Sequence, residues 1–208
     1  MKRRSSPRSL NRCDTCGLSC QRCLCAGIAA IDTKVHVTVV MHQLETRRAS
    51  NSGKLLCHAL KNSTIKHHGS ADGPLDLNEV VKPGWRNILL YPVTNRTEPP
   101  EGSEPLNLII PDGNWKQASK IARRLLETTD VVPVSLPYLA PSRYRLRSAP
   151  TRPEGLATFE ACARFLGCLE GKEIEESLLR TFDDFVHRHL HARAKLGPKA
   201  PATLGSQL

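Results

Sequence analysis

Apolar residues in this chain gather in short unbroken runs before settling into a helical rhythm, which predicts buried strands alternating with helices. Val35-His36-Val37-Thr38-Val39-Val40-Met41 is β-branched and mostly apolar, and predicts a strand. Residues 88–91 and 106–110 are apolar without alternation, as expected of strands covered on both faces of a parallel sheet. Residues 131–134 predict another strand, set at an edge or an end by Pro133. Residues 52–60 read as a short helix. From Trp115 onward, Ala118, Ala122, Leu125 and Leu126 recur on one helical face, while Lys116, Lys120, Arg123 and Arg124 fall largely off it. Two more helices are expected at about 157–169 and 173–194, the second with acidic residues at its start and basic ones at its end, as its dipole favours. Residues 137–154 are rich in Pro and Arg and predict a long functional loop. No internal repeat is visible. The fold class is α/β, a mostly parallel sheet with flanking helices.

The chain has 208 residues, enough for one ordinary domain and a small appendage. The expected layout is a basic flexible arm at 1–12, a cysteine cluster at 13–30, an α/β domain at 31–196 and a flexible tail at 197–208. A net charge of +10 favours a polyanionic partner, nucleic acid first and an acidic membrane surface second, although a basic soluble enzyme would carry the same charge. No apolar run approaches the roughly 20 residues that span a bilayer. The basic start at Met1-Lys2-Arg3-Arg4 is not followed by the apolar stretch of a signal peptide, so a cytoplasmic protein is expected. Monomer and dimer are both compatible with the sequence.

Without export, the eight cysteines point to metal rather than disulfides. Cys13-x-x-Cys16, six residues, then Cys23-x-Cys25 supply four soft thiols with the spacing of a tetrahedral structural zinc site. Cys20 lies between the pairs and could replace one of them. A redox CxxC is disfavoured because no helix follows to lower a thiol pKa. The segment has no core of its own, so metal would supply much of its folding free energy. Cys57, Cys162 and Cys168 sit in apolar, helix-like surroundings and are expected in the core.

A second constellation begins where the strand at 106–110 runs into Pro111-Asp112-Gly113 and then into a helix. Asn114 is placed to cap that helix, with Gln117 three residues on completing a capping box. Asp112 therefore ends a strand, where open α/β sheets bind ligands. Gly113 permits a tight turn and close ligand approach. Trp115 adds a flat surface beside the carboxylate. An ordinary Asp-Gly turn beside a core Trp explains the same residues equally well.

Pro111-Asp112-Gly113-Asn114-Trp115 resembles the signature of the DTW-domain proteins, the tRNA-uridine aminocarboxypropyltransferases. Other segments follow in the family's order: the cysteine spacing, His42-x-x-Glu45, Ser50-Asn51-Ser52-Gly53-Lys54-Leu55, Leu90-Tyr91-Pro92, Ser142-x-Tyr144-x-Leu146-Arg147 and Thr158-x-Glu160-Ala161. Together they cover about residues 13–170. The family's central residue is usually Thr, here Asn114, and either can cap a helix.

The resemblance implies a SPOUT-like trefoil knot, S-adenosylmethionine as donor, structural zinc, and transfer of a 3-amino-3-carboxypropyl group to N3 of a uridine in tRNA. It makes Asp112 the candidate base for the N3 proton, or the group that orients the uracil edge. Leu90, Tyr91, Pro92, Gly113, Asn114, Trp115, Ser142, Tyr144 and Arg145 become candidate donor contacts. Arg143 and Arg147 could face phosphates or the donor's carboxylate, and Arg12, with Arg3, Arg4 and Arg8, could grip an RNA backbone. Glu45 and Glu160 are further polar candidates on the resemblance, but by physics alone they would be solvated or capping carboxylates.

Two other functions fit part of the pattern. An S-adenosylmethionine-dependent RNA methyltransferase would use the same scaffold and donor. A non-catalytic zinc-ribbon RNA-binding protein would explain the charge and cysteines, but not a carboxylate ending a buried strand, and the chain lacks an aromatic platform for bases. His67-His68 reads as a pair in a loop, and no histidine is assigned a metal. Ser52-Gly53-Lys54 lacks the flanking residues of a triphosphate-binding loop.

Overall fold

Five short strands, all parallel, form the centre of the molecule. The computed structural model describes residues 11–69, 75–137, 141–146 and 155–194. In chain order the elements are β1 (His36–His42), α1 (Gly53–Ala59), β2 (Ser63–His68), β3 (Arg86–Leu90), β4 (Leu106–Asp112), α2 (Trp115–Thr128), β5 (Val132–Val134), α3 (Thr158–Glu170) and α4 (Lys172–Ala194). The sheet order is β2-β1-β4-β3-β5, so the expected mostly parallel α/β fold is present. β5 is an edge strand, as Pro133 requires.

The sheet separates two cores. Val37, Val39, Met41, Leu108 and Ile110 join the larger one, with Leu55 and Leu56 of α1 and the phenylalanines of α3 and α4. Val40, Leu89 and Ile109 point the other way, onto Ile121, Ala122 and Leu125 of α2. Period-two side chains thus feed opposite layers, which explains why β1 and β4 read as unbroken apolar runs. In α4, Phe182 stacks on Phe159 of α3 with centroids 5.2 Å apart and on Tyr144 at 5.9 Å.

Connections leave β1 and β4 in opposite directions. β1 leads through α1 to β2, while β4 leads through α2, on the other face, to β5. The crevice at the C-terminal ends of β1 and β4 is therefore the topological switch point, where doubly wound sheets bind ligands.

Several expectations change. His67 and His68 end a strand, β2, rather than lying in a loop. β4 continues through Pro111 to Asp112, pairing Pro111 with Val40 and Asp112 with Met41. Of the three cysteines expected in the core, Cys162 is buried, Cys57 half-buried and Cys168 exposed. Most of the basic arm, the C-terminal tail and residues 147–154 with Arg147 lie outside the described residues.

Candidate active site

Asp112 ends β4 at the switch point, with its side chain on the same face as Leu108 and Ile110, and it is only 3% exposed. Asn51 Nδ2 donates to its Oδ2 at 2.5 Å, and Thr158 Oγ1 donates to its Oδ1 at 2.5 Å. Both carboxylate oxygens are thus held by side chains from other elements. Asn51 Oδ1 also accepts the Lys54 N–H at 3.1 Å, so one side chain ties the first turn of α1 to the carboxylate. A Cβ on Gly53 would lie 2.8 Å from Asp112 Oδ2, which explains glycine at the first position of α1. Asp112 is therefore a junction of β4, the start of α1 and the first residue of α3.

The turn beyond it is set by packing and capping. A Cβ on Gly113 would meet Gln117 Cβ at 2.8 Å. Asn114 accepts the Gln117 N–H at 3.0 Å, and Gln117 Oε1 accepts the Asn114 N–H at 2.8 Å. The expected capping box is present.

Beside Asp112 opens a largely apolar cleft at the C-terminal ends of β3 and β4. Leu90, Tyr91, Pro92, Gly113 and Trp115, five of the candidate donor contacts, line it. Tyr91 and Trp115 face each other across 6.2 Å. Sequence reasoning missed Ile110, Pro111, Ala118, Ser135, Leu136, Leu156, Thr158 and Ala161. Thr158 matters most because it touches both the cleft and Asp112. Its one sequence signal was its place at the head of Thr158-x-Glu160-Ala161. A shallower, more polar groove along Val93, Thr94, Asn95 and Thr97 shares Pro92, Ser135 and Leu136 with the cleft.

Other candidates are held elsewhere. Asn114 caps α2 without lining the cleft, and Ser142, Tyr144 and Arg145 do not line it either. Ser142 Oγ donates to Glu160 at 2.7 Å, and the Arg143 N–H does so at 3.0 Å. Arg164 pairs with the same carboxylate at 2.8 Å. Tyr144 donates its hydroxyl to Ser50 O at 2.5 Å. Arg143 is ion-paired with Asp183 at 2.6 Å, Arg145 is exposed, and Arg12 donates to Gly17 O. Glu45 and Glu160 are both fully buried, which corrects the solvated reading. Glu160 organises the 142–144 loop, and Glu45 pairs with Arg48 at 3.2 Å.

Cys13, Cys16, Cys23 and Cys25 present sulfurs that all lie within 4.8 Å of one another. Cys13 and Cys25 sulfurs are 3.7 Å apart, as are those of Cys16 and Cys23. Four thiolates about 2.3 Å from a tetrahedral zinc are separated by about 3.8 Å, so the cluster fits a metal ion. Cys20 is exposed and outside it. Burial would raise the Cys13 thiol, but backbone hydrogen bonds from Cys16 and Thr15 bring it down to about 6. Burial pushes Cys16 and Cys25 up.

The cluster does not stand apart. Cys16, Leu18 and Leu24 belong to the larger core, so packing contributes to its stability alongside any metal it holds. His189 Nε2 lies 2.8 Å from Cys16 O. Gly17, at φ +67°, is pressed against the loop before α1; a Cβ there would lie 2.0 Å from Ala49 O. Ala49 is two residues from Asn51, the ligand of Asp112.

The DTW domain matches residues 10–190, nearly the whole described chain. The chain belongs to the DTW-domain family. It is 25% identical over 189 residues to tRNA-uridine aminocarboxypropyltransferase 2 of Drosophila melanogaster, covering 84% of this chain and 73% of that protein. With tRNA-uridine aminocarboxypropyltransferase A of Arabidopsis thaliana it shares 28% identity over 214 residues, covering 84% and 79%. No solved structure matches the chain. The match thus embraces both the cysteine cluster and the Asp112 site, including the turn that closes β4 onto α2.

Proposed function

We propose that this protein transfers the 3-amino-3-carboxypropyl group of S-adenosylmethionine to N3 of a uridine in tRNA. The names of both relatives support this reading. The observation that carries it is the join between cleft and carboxylate: Thr158 lines the apolar cleft while donating its hydroxyl to buried Asp112.

The cleft has the apolar and aromatic lining that an adenosine requires, chiefly Tyr91, Trp115 and Leu136. The donor supplies a carbon next to a positive sulfur, whose departure needs no proton. Uridine N3 does carry a proton, which must leave as the new bond forms. Asp112 is too enclosed to be reached freely, so the proton is relayed through the Thr158 hydroxyl to Asp112 Oδ1. Asn51 fixes the other carboxylate oxygen and keeps Oδ1 aimed at Thr158. Holding both substrates at one mouth contributes through proximity. Zinc at Cys13, Cys16, Cys23 and Cys25 has a structural role, shaping the loop that carries Asn51.

Incubation with unmodified tRNA and S-adenosylmethionine labelled in the carboxyl carbon or the methyl group tests the reaction. Carboxyl label entering tRNA is expected. Methyl label entering instead would make the protein a methyltransferase, and tRNA binding with neither label transferred would favour a non-catalytic binder.

A further inference from the structure

We infer that His42, His68, Lys120 and Arg124 form a docking surface for a backbone phosphate of the RNA whose uridine enters the cleft at Thr158. This rests on the reading that the substrate is an RNA, and it assigns a place for that strand on the molecule.

His42 and His68 are register partners at the C-terminal ends of β1 and β2, with ring centroids 6.3 Å apart. Side-chain alternation puts both on the face covered by α2, in the column that contains Val40, whereas His67 points to the opposite face beside Thr46. On α2 the two flanks differ. Trp115 lies on the flank that meets Tyr91 beyond β3. Lys120 and Arg124, four residues apart, lie about 140° and 180° round the helix from Trp115 and so share the opposite flank. The electrostatics agree: burial first, then Lys120, holds the His42 imidazole below its ordinary range, and burial with Arg124, His42 and Lys120 does so for His68.

The surface has the donors an anion needs, and among the described residues no carboxylate satisfies them. His42 Nδ1 accepts the Leu44 N–H at 3.2 Å, which leaves the ring proton on Nε2, facing Gly69. His68 is 8% exposed and its Nδ1 has no hydrogen-bond partner, an expensive state for a buried polar atom. Among the described residues no carboxylate pairs with Lys120 or Arg124; the nearby Lys66 is already held by Glu79 at 2.9 Å. A phosphodiester would accept from His42 Nε2 and both cations. The end of β4 lies one strand beyond His42 and two beyond His68, about 10 Å along the sheet edge, with the Asp112 side chain on the opposite face, so a strand of RNA resting on this surface can pass its uridine over the end of the sheet to the cleft.

The test is binding of an unmodified tRNA transcript to the full metal-loaded chain, without donor, over a range of KCl. The double variant Lys120→Gln/Arg124→Gln should bind at least about tenfold more weakly at low salt. The slope of log affinity against log salt should fall by about 0.7–0.9, the loss of one neutralised phosphate. Arg123→Gln, on the outer face of α2 and paired with Glu127, should bind as the unaltered chain does. His42→Gln should raise KM for tRNA and leave KM for S-adenosylmethionine unchanged. Equal affinity and slope in the double variant and Arg123→Gln, or an unaltered chain that does not bind tRNA, overturns the inference. If the double variant binds normally while the unaltered chain still transfers its group, the surface is wrong and the transfer reading stands. If binding behaves as expected but no group is transferred, the surface stands and the transfer reading falls.

Discussion

Asp112 was legible in the sequence because a strand, a Gly turn and a capped helix meet around it within a few residues. Its partners were not, because Asn51 and Thr158 stand 61 and 46 positions away and only the fold brings them in. Replacing Asn51 by Ala removes a buried hydrogen bond to a carboxylate, which costs about 1.5–3 kcal/mol; chemical denaturation should read that loss alongside a reduced kcat. Thr158→Val deletes the proposed proton relay and should reduce kcat by about 100-fold or more, whereas Thr158→Ser keeps the hydroxyl and should retain most activity. A single-turnover assay separates them, and equal rates in the two variants would remove Thr158 from the proton path. Glu160 was misread for a related reason. A carboxylate near a helix start is ordinarily solvated, and the Ser142, Arg143 and Arg164 groups that make burial tolerable are set by tertiary contacts.

Among the elements, those with continuous apolar runs were readable, and so was α2 with its capping box. β2 was missed because Ser63–His68 contains one apolar residue, Ile65, and is a strand only by pairing with β1. The extension of β4 through Pro111 ran against the rule that proline avoids central strands; its place near the strand's end makes it tolerable. The cysteine cluster was legible as a metal site but not as a buttress, since nothing in its spacing reveals that Gly17 abuts Ala49. Chelation of the metal should therefore lower both the melting temperature and transfer activity, while Cys20→Ser should change neither. Retained activity in chelated, metal-free protein would show that the cluster does not support the Asn51 loop. Phe182→Ala, which removes the ring between Phe159 and Tyr144, should cost about 3–5 kcal/mol in a denaturation experiment.

At the scale of the whole molecule, the switch between β1 and β4 accounts for the location of the site. No helix among the described residues is long and apolar enough to cross a membrane. The net charge of +10 suggested a polyanionic partner but could not show which cations stay unpaired. Arg143 is taken by Asp183, whereas Lys120 and Arg124 face two imidazoles. Burial holds His36, His68 and His189 below their ordinary range, so the unfolded chain takes up protons before the folded one does. Stability is then complete above about pH 6.5 and lost as pH falls through and below that value. Cys57 has the opposite sign: burial raises it to about 12 from 9.0, so its contribution is present below pH 9 and lost as pH rises beyond it. Melting temperatures across this range should fall on both sides, and a flat acid limb would show that the buried histidines do not govern it.

The measurement that bears most directly on the central claim is the single-turnover rate of aminocarboxypropyl transfer to tRNA by Asp112→Asn, with folding checked by thermal melting. A folded variant whose rate drops by about 100-fold or more, with donor binding retained, is the predicted result. A folded variant that transfers the group within a few-fold of the unaltered rate would contradict the assignment of the Asp112–Thr158 pair as the catalytic centre.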